Sequence, residues 1–303
     1  MTWEASMSDN PILVTGATGK TGAQVVGDLL DRGLRVRAMV HREDDRSAWL
    51  SKQGAEIVTG DLLDLDAVAH ALDDVRRAYF VYPILPGLVE ATTIFAQTGA
   101  ESGLEVVVNM SQTPARREAA SKAARQHWLG ERVFDWAPVG AVHLRPTFFA
   151  EWLPINWQFI DGSGVLRLPF GDGRHAPIAA ADQARVISTI LTDPADHIGR
   201  SYSLFGPVEL NHHEIAEIMS ETLGIPVRYE PITTEAYADT LRKAGSPEHL
   251  IQHLESVAID YRNGLLAGTD DVIEKITGKR PQTVEQYVRT NRDLFFGAGP
   301  EHD

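Results

Sequence analysis

The sequence contains no cysteine, and its charge is strongly of one sign. The absence of cysteine excludes disulfide bonds, thiolate nucleophiles and cysteine-ligated metals. The 28 lysines and arginines are outnumbered by 42 aspartates and glutamates, and the net charge of -14 argues against a general nucleic-acid or anionic-membrane binder. Any anionic ligand must therefore be held locally, by backbone amides and a few placed cations.

Long apolar stretches and targeting signals are lacking as well. No apolar run approaches the length that spans a bilayer, and residues 1–11 are polar and acidic, without the apolar core of a signal peptide. The nucleophile elbow, the Walker A loop and the H-E-x-x-H pattern are absent, so hydrolase and phosphotransferase functions lack support. We expect a cytoplasmic protein that binds neither membranes nor nucleic acid.

Short apolar runs alternate with amphipathic stretches through the first half of the chain. The runs predict six buried strands, at Ile12–Thr15, Val36–Val40, Ile57–Thr59, Ala78–Val81, Val106–Met110 and Val142–Leu144. The stretches between them predict helices at Lys20–Arg32, Arg46–Gln53, Leu65–Leu72, Val89–Glu101 and Arg116–Phe134. This alternation predicts an α/β fold: a doubly wound parallel-sheet Rossmann core with a smaller, mostly helical C-terminal cap.

The rhythm changes after Leu144. Glycine turns predict a hairpin within residues 162–178, followed by a helix at Asp182–Leu191 and a strand at Ser201–Phe205. The predicted domains are therefore a dinucleotide-binding domain at 9–154, to whose sheet residues 178–205 return, and a substrate cap at 155–303.

The stretch "VTGATGKTG" places three glycines between the first strand and the first helix. Gly16 allows the tight turn, Gly19 lets a phosphate approach the backbone, and Gly22 lets the helix pack against the sheet. Unpaired amides at the helix N-terminus favour a pyrophosphate there. Thr18, Lys20 and Thr21 add hydroxyls and one cation. The pattern predicts a dinucleotide site rather than an ordinary strand–helix turn.

The second strand ends in a base where an acid would select NAD. It runs Val40-His41-Arg42, and the acid is delayed to Glu43. Arg42 can pair with a 2′-phosphate, which favours NADP(H) over NAD(H). In the alternative interpretation Arg42 is a solvated loop cation and Glu43 binds the ribose hydroxyls.

Two later strand ends add candidate cofactor contacts. Asp61 and Leu62 follow the third strand, where the carboxylate can accept from the adenine amino group and the leucine can cover the ring. The alternative role for this region is a helix N-cap by Asp61 or Asp64. Tyr82 and Pro83 begin the loop after the fourth strand, which passes over the cofactor.

With these motifs together, the chain resembles the NmrA-like family of atypical short-chain dehydrogenases/reductases. The resemblance is carried by "VTGATGKTG", the arginine after the second strand, "GDLLD", "VVVNMSQTP" and "LRPTFFAEWL". It extends over nearly the whole chain. It implies either an NADPH-dependent reductase of quinones, dyes or other flat acceptors, or an NADP-binding redox sensor that works through a regulatory protein partner and catalyses nothing.

The resemblance also implies site residues and one departure. Short-chain dehydrogenases carry a Tyr-x-x-x-Lys pair on the helix after the fifth strand, whereas alignment here places Ala123 and His127 at those positions. His127 is a candidate for contacting the ribose or donating a proton, and its alternative role is a helical pair with Glu131. Ser111 and Tyr82 are the other catalytic candidates, and Asn109 and Ser111 are further cofactor contacts.

The segment after the sixth strand is the last candidate region. Pro146, Thr147, Phe148 and Phe149 are expected to border the nicotinamide. Trp152, Trp157 and Phe159 could cover a flat acceptor by stacking, or could simply join the cap to the core.

No metal site is predicted. Asn211-His212-His213-Glu214 is better explained by an N-cap at Asn211, because adjacent histidines on a helix point in different directions. The leading hypothesis is an NADPH-dependent oxidoreductase that transfers hydride to a flat small molecule, and the alternative is the non-catalytic sensor. Apolar stripes on the cap helices are compatible with a homodimer.

Overall fold

The structure is a computed structural model, and it describes residues 10–296. Residues 1–9, where no signal peptide is predicted, and residues 297–303 lie outside the described residues. The strands are β1 (Ile12–Val14), β2 (Val36–Val40), β3 (Glu56–Thr59), β4 (Arg77–Phe80), β5 (Val106–Met110), β6 (Gly140–Pro146), β7 (Trp157–Ile160), β8 (Ser163–Leu168), β9 (Arg174–His175), β10 (Ser201–Leu204), β11 (Leu210–Asn211) and β12 (Val227–Pro231). The α-helices are α1 (Lys20–Asp31), α2 (Asp45–Lys52), α3 (Leu65–Ala71), α4 (Leu88–Ser102), α5 (Lys122–Trp136), α6 (Trp152–Ile155), α7 (Ala180–Thr192), α8 (His212–Leu223), α9 (Thr234–Lys243), α10 (Glu248–Arg262), α11 (Val272–Thr277) and α12 (Val284–Thr290).

A seven-stranded sheet forms the centre of the fold, in the order β10-β6-β5-β4-β1-β2-β3. The registered pairs from β3 through β1 to β6 are all parallel. The order reverses between β1 and β4, so the carboxyl ends of these strands flank a crevice where ligands bind in such sheets. The predicted doubly wound Rossmann fold is confirmed.

Contacts between residues group the chain into two compact units. The first unit contains the described residues up to Ser111, together with residues 126–144 and 184–202. The second contains residues 112–125, 145–183 and the described residues from Ser203 onward. As independently folding domains, the ranges 9–154 and 155–303 stay a prediction.

Each unit has its own apolar core. In the first unit Phe80, Phe95 and Phe134 pack with ring centroids 4.8–6.4 Å apart. In the second unit α8 and α10 contribute to a core that contains Leu166 from β8 and Tyr261 from α10. None of the helices in the described range combines the length and apolar character needed to cross a membrane.

The predicted helix Arg116–Phe134 begins too early, since α5 begins at Lys122. The Ser121 hydroxyl accepts from the amide of Ala124 at 3.0 Å, as an N-cap does. Before it, Arg116 makes a two-pronged ion pair with Asp260 on α10, at 2.6 and 2.8 Å. The segment is therefore held by contacts to α10, and local sequence does not reveal such contacts.

The predicted hairpin within residues 162–178 is also wrong. The antiparallel partner of β8 is β7, which precedes it. Their two-residue turn is Asp161-Gly162, with φ of +49° and +76°. Two successive positive φ values give the turn whose twist suits a tight hairpin. On its other edge β8 pairs in parallel with β12.

Candidate functional site

The glycine turn of the first unit is built so that side chains cannot replace its glycines. Gly16 has a φ of +56°, and a Cβ there would lie 2.6 Å from Cγ1 of Val81. A Cβ on Gly22 would lie 2.2 Å from the Gly16 carbonyl oxygen. Gly19 is the N-cap of α1 and makes no side-chain capping bond. The first-turn amides are thus presented to an anion at close range.

The remaining turn residues lie around this helix end. Thr18 is half-buried, Lys20 is exposed, and Thr21 is buried. The Thr15 hydroxyl accepts from the Val81 amide at 2.9 Å and so ties the end of β1 to that of β4. The glycine turn is therefore fixed against the neighbouring strand.

At the end of β2, the guanidinium of Arg42 is available to bind an anion. His41, Arg42 and Glu43 are exposed, and Arg42 makes no hydrogen bond or ion pair with any described residue. The next acid, Asp44, caps α2 and pairs with Arg46 at 2.6 Å. The hydrogen bond from Arg46, together with amide bonds, lowers the pKa of Asp44. Asp44 is therefore committed to the helix, and Glu43 is the acid nearest to Arg42 in sequence.

After β3 the two aspartates divide their roles. Asp64 is the N-cap of α3, and its carboxylate accepts from the amides of Asp66 and Ala67. Asp61 is exposed, and its carboxylate accepts from the Leu63 amide at 2.9 Å. Leu62 is half-buried against the core of the first unit. Asp61 thus shapes the turn and keeps further acceptor capacity.

Three predicted site residues line one small cavity in the first unit. Tyr82, Asn109 and His127 all contribute to its wall. The Tyr82 hydroxyl donates to the Pro86 carbonyl at 3.0 Å, and burial raises the pKa of Tyr82. The Tyr82 proton is already donated within its own loop. Tyr82 is therefore a poorer candidate for donating a proton to a substrate. Pro83 is exposed in the same loop.

Ser111, at the end of β5, makes a contact that the sequence did not reveal. Its hydroxyl donates to the carboxylate of Glu131 at 2.6 Å, and Glu131 has no exposed surface. Glu131 lies on α5, one helical turn after His127. Asn109 is also engaged, through its amide nitrogen, with Nδ1 of His143 at 3.1 Å. These buried pairs hold the carboxyl end of β5 rigid.

The last residues of β6 and the segment after it belong to the second unit. Pro146 and Thr147 are buried, and the Thr147 hydroxyl has no hydrogen-bond partner among the described residues. Phe148 and Phe149 line an aromatic cavity, together with Trp152. Two backbone hydrogen bonds to Ile178 fix this segment. The Ala150 amide donates to the Ile178 carbonyl, and the Ile178 amide donates to the Phe148 carbonyl.

The other predicted aromatics have structural contacts. The Trp157 ring packs against Phe295 at 5.3 Å, and its indole nitrogen donates to the Phe295 carbonyl. Phe159 packs edge-on to Phe296 at 6.3 Å. Trp157 and Phe159 therefore pack against the C-terminal end of the described chain, whereas Trp152 lines the cavity.

His212 is one of the two histidines that the sequence analysis discounted as metal ligands. Asn211 caps α8 in a reciprocal capping box with Glu214, as predicted. His212 is buried and contacts Tyr261, which also hydrogen-bonds His175. Sequence reasoning missed this trio because its members are 49 and 86 residues apart from Tyr261 along the chain.

Acid should destabilise the protein through its buried histidines. Burial lowers the pKa of His212 to about 3 and of His253 to about 4, and lowers that of His175 as well. These rings are neutral when folded, whereas the unfolded chain binds protons below about pH 6.5. Stability is therefore lost as the pH falls from about 6.5 towards 4, by about 1.4 kcal/mol per pH unit and histidine.

Urea unfolding at pH 7 and pH 5 measures this loss. In the His212→Asn variant, the loss in free energy of unfolding between pH 7 and pH 5 should be smaller by the contribution of one histidine. An equal dependence in the native protein and the variant would contradict the assignment.

A parallel sheet in this strand order, with a glycine cradle at the start of its first helix, defines the class of Rossmann-type NAD(P)-binding proteins. Within that class, the NmrA-like family model matches residues 8–129, and the predicted resemblance to this family is confirmed.

Similar proteins extend the match over most of the chain. An NAD(P)H azoreductase of Xenophilus azovorans is 29% identical, covering 95% of this chain and all of that protein. The structure resembles an Escherichia coli NADPH-dependent quinone oxidoreductase complexed with NADPH, at 21% identity and a TM-score of 0.81, covering 92% of this chain and 99% of that one. It also resembles NmrA, a negative transcriptional regulator in complex with NADP, at 16% identity and a TM-score of 0.80, covering 94% and 95%.

Proposed function

We propose that the protein is an NADPH-dependent oxidoreductase that reduces a flat small molecule of the quinone or dye type. The observation that carries the proposal is the glycine cradle, in which a Cβ on Gly22 would collide with the Gly16 carbonyl. The close approach between the start of α1 and the glycine turn lets a pyrophosphate reach the backbone amides of α1. The azoreductase relative, which extends over the whole chain, supports the acceptor class.

The first unit contains residues suited to the adenine end of NADP(H). Arg42, without a partner among the described residues, would pair with the 2′-phosphate, and Asp61 and Leu62 would contact the adenine. When bound, NADPH supplies a hydride from its nicotinamide C4.

The remaining candidates would position the nicotinamide ribose. His127 and Asn109 line one cavity, and Ser111, which is hydrogen-bonded to Glu131, lies two residues after Asn109 in the chain. We assign His127 to the ribose hydroxyls. Quinone-like acceptors need less acid assistance than simple ketones, because aromaticity stabilises their reduced oxygens. A reductase of such acceptors can therefore work without the tyrosine that α5 lacks.

A non-catalytic NADP(H) sensor is the second candidate. It is favoured by two observations: α5 contains no tyrosine, and the Tyr82 hydroxyl is already bonded to the Pro86 carbonyl. A sensor would bind NADPH and NADP with different affinities and would need a protein partner.

Acceptor-dependent oxidation of NADPH separates the two candidates. Purified protein should oxidise NADPH in the presence of quinones or dyes, and should do so faster than NADH. Tight NADPH binding with no oxidation across such a panel would favour the sensor.

A further inference from the structure

Asn109, on β5, lies at one end of a row of hydrogen-bonded side chains within the first unit. Its amide nitrogen is 3.1 Å from Nδ1 of His143, the residue that faces it on β6. Nε2 of His143 is 3.1 Å from Oδ1 of Asp135 on α5. The other carboxylate oxygen of Asp135 pairs with Arg132 at 2.7 Å. We call Asp135, His143 and Asn109 the Asp135 triad.

Counting protons fixes the direction of each hydrogen bond in the Asp135 triad. An ionised carboxylate can only accept, so Nε2 of His143 must carry a proton. A neutral imidazole has a single proton on its ring nitrogens, so Nδ1 is bare and accepts from the Asn109 amide nitrogen. The Asn109 carbonyl oxygen is therefore turned away from His143. Through His143, Asp135 thus determines which end of the amide is left for another partner.

The carbonyl oxygen of Asn109 is available as an acceptor. It bonds to none of the described residues, and it is not completely covered. Asn109 also lines the cavity to which Tyr82 and His127 contribute. Ser111, two residues later, presents an acceptor as well, because its hydroxyl proton is donated to Glu131 at 2.6 Å.

We propose that Asp135 and His143 are positioning residues for the cofactor: they hold the Asn109 amide so that its oxygen accepts from a hydroxyl of the nicotinamide ribose. The inference rests on the proposed function, which includes binding of NADP(H). A ribose has two neighbouring hydroxyls, each with a proton to donate. It therefore suits a strand end that presents acceptor oxygens at Asn109 and Ser111.

Replacing Asp135 with asparagine should reverse the Asn109 amide. Arg132 has only donors, so it would bond to the single oxygen of the new side chain and leave the NH2 group facing His143. Nε2 of His143 must then accept, so its proton moves to Nδ1, and Nδ1 donates to the Asn109 oxygen. The ribose would meet an NH2 group in place of an acceptor. The Asp135 side chain is 37% exposed, so this substitution should leave the fold intact.

Spectra of ¹⁵N-labelled histidine and titration with NADPH test this reversal at pH 8. Without cofactor, His143 should carry its proton on Nε2 in the native protein and on Nδ1 in Asp135→Asn. The dissociation constant for NADPH should rise about 10-fold in the variant, the scale of one lost hydrogen bond. The control Glu56→Gln alters another exposed carboxylate, which pairs with Arg37 at 3.0 Å, and it should change neither result.

A double-mutant cycle separates positioning from a general structural effect. Asn109→Ala should weaken NADPH binding by a similar factor, and adding Asp135→Asn to it should cause no further loss, because the amide is already gone. The same His143 tautomer in the native protein and Asp135→Asn, a native ring protonated on both nitrogens, or additive losses in the cycle would overturn the inference alone. A native protein that binds no NADPH would overturn the proposed function, and the inference with it.

Discussion

Replacing Gly22 with alanine should weaken NADPH binding at least about 100-fold, the equivalent of roughly 3 kcal/mol. The new Cβ would lie 2.2 Å from the Gly16 oxygen, 2.9 Å from its carbonyl carbon and 3.0 Å from Cα of Ala17. All three are backbone atoms, so the turn must open to accommodate the methyl group. Fluorescence titration with NADPH measures the loss.

Gly27 provides a matched control on the same helix. A Cβ there would meet no atom within 4 Å. Gly27→Ala should leave the NADPH affinity unchanged and stabilise α1 by about 0.5–1 kcal/mol, because alanine loses less backbone entropy. If Gly22→Ala binds NADPH as tightly as Gly27→Ala does, the turn does not hold the pyrophosphate.

Removing Arg42 should cost about 10- to 100-fold in NADPH affinity, because a charge-assisted pair contributes about 1.5–3 kcal/mol. The affinity for NADH should stay the same, since NADH has no 2′-phosphate. The exposed Lys52, at the end of α2, offers a control, and Lys52→Ala should change NADPH affinity by less than about 3-fold, in keeping with screened surface charges.

Cofactor preference also decides between Arg42 and Glu43. If the native protein prefers NADH and Arg42→Ala has no effect, Glu43 binds the ribose hydroxyls. In that case Glu43→Gln, rather than Arg42→Ala, would weaken binding.

The sheet and the glycine turn could be predicted because their signals are local. Buried parallel strands read as continuous apolar runs, and the strand–turn–helix order around Gly16, Gly19 and Gly22 leaves few other interpretations. The strand ends then placed Arg42, Asp61 and Ser111 at the carboxyl edge of the sheet.

The errors and omissions concern contacts between distant residues. Residues 116–121 have helix-forming composition, yet the Arg116–Asp260 pair and the Ser121 cap delay the helix to Lys122. The partner of β8 was misassigned because tight turns occur on both sides of it in the sequence. The buried group of Tyr261, His175 and His212 gave no sequence signal, since three distant segments form it.

The most direct test of the central claim follows the hydride itself. NADPH carrying deuterium at both C4 positions is mixed with the protein and a cationic triphenylmethane dye, and the leuco product is analysed by mass spectrometry. A reductase predicts deuterium at the central carbon of the product, formed at a rate that depends on protein concentration. The contradicting result is tight cofactor binding with no deuterated dye product and with no NADPH consumption in the presence of an azo dye or a quinone. That result would favour the sensor.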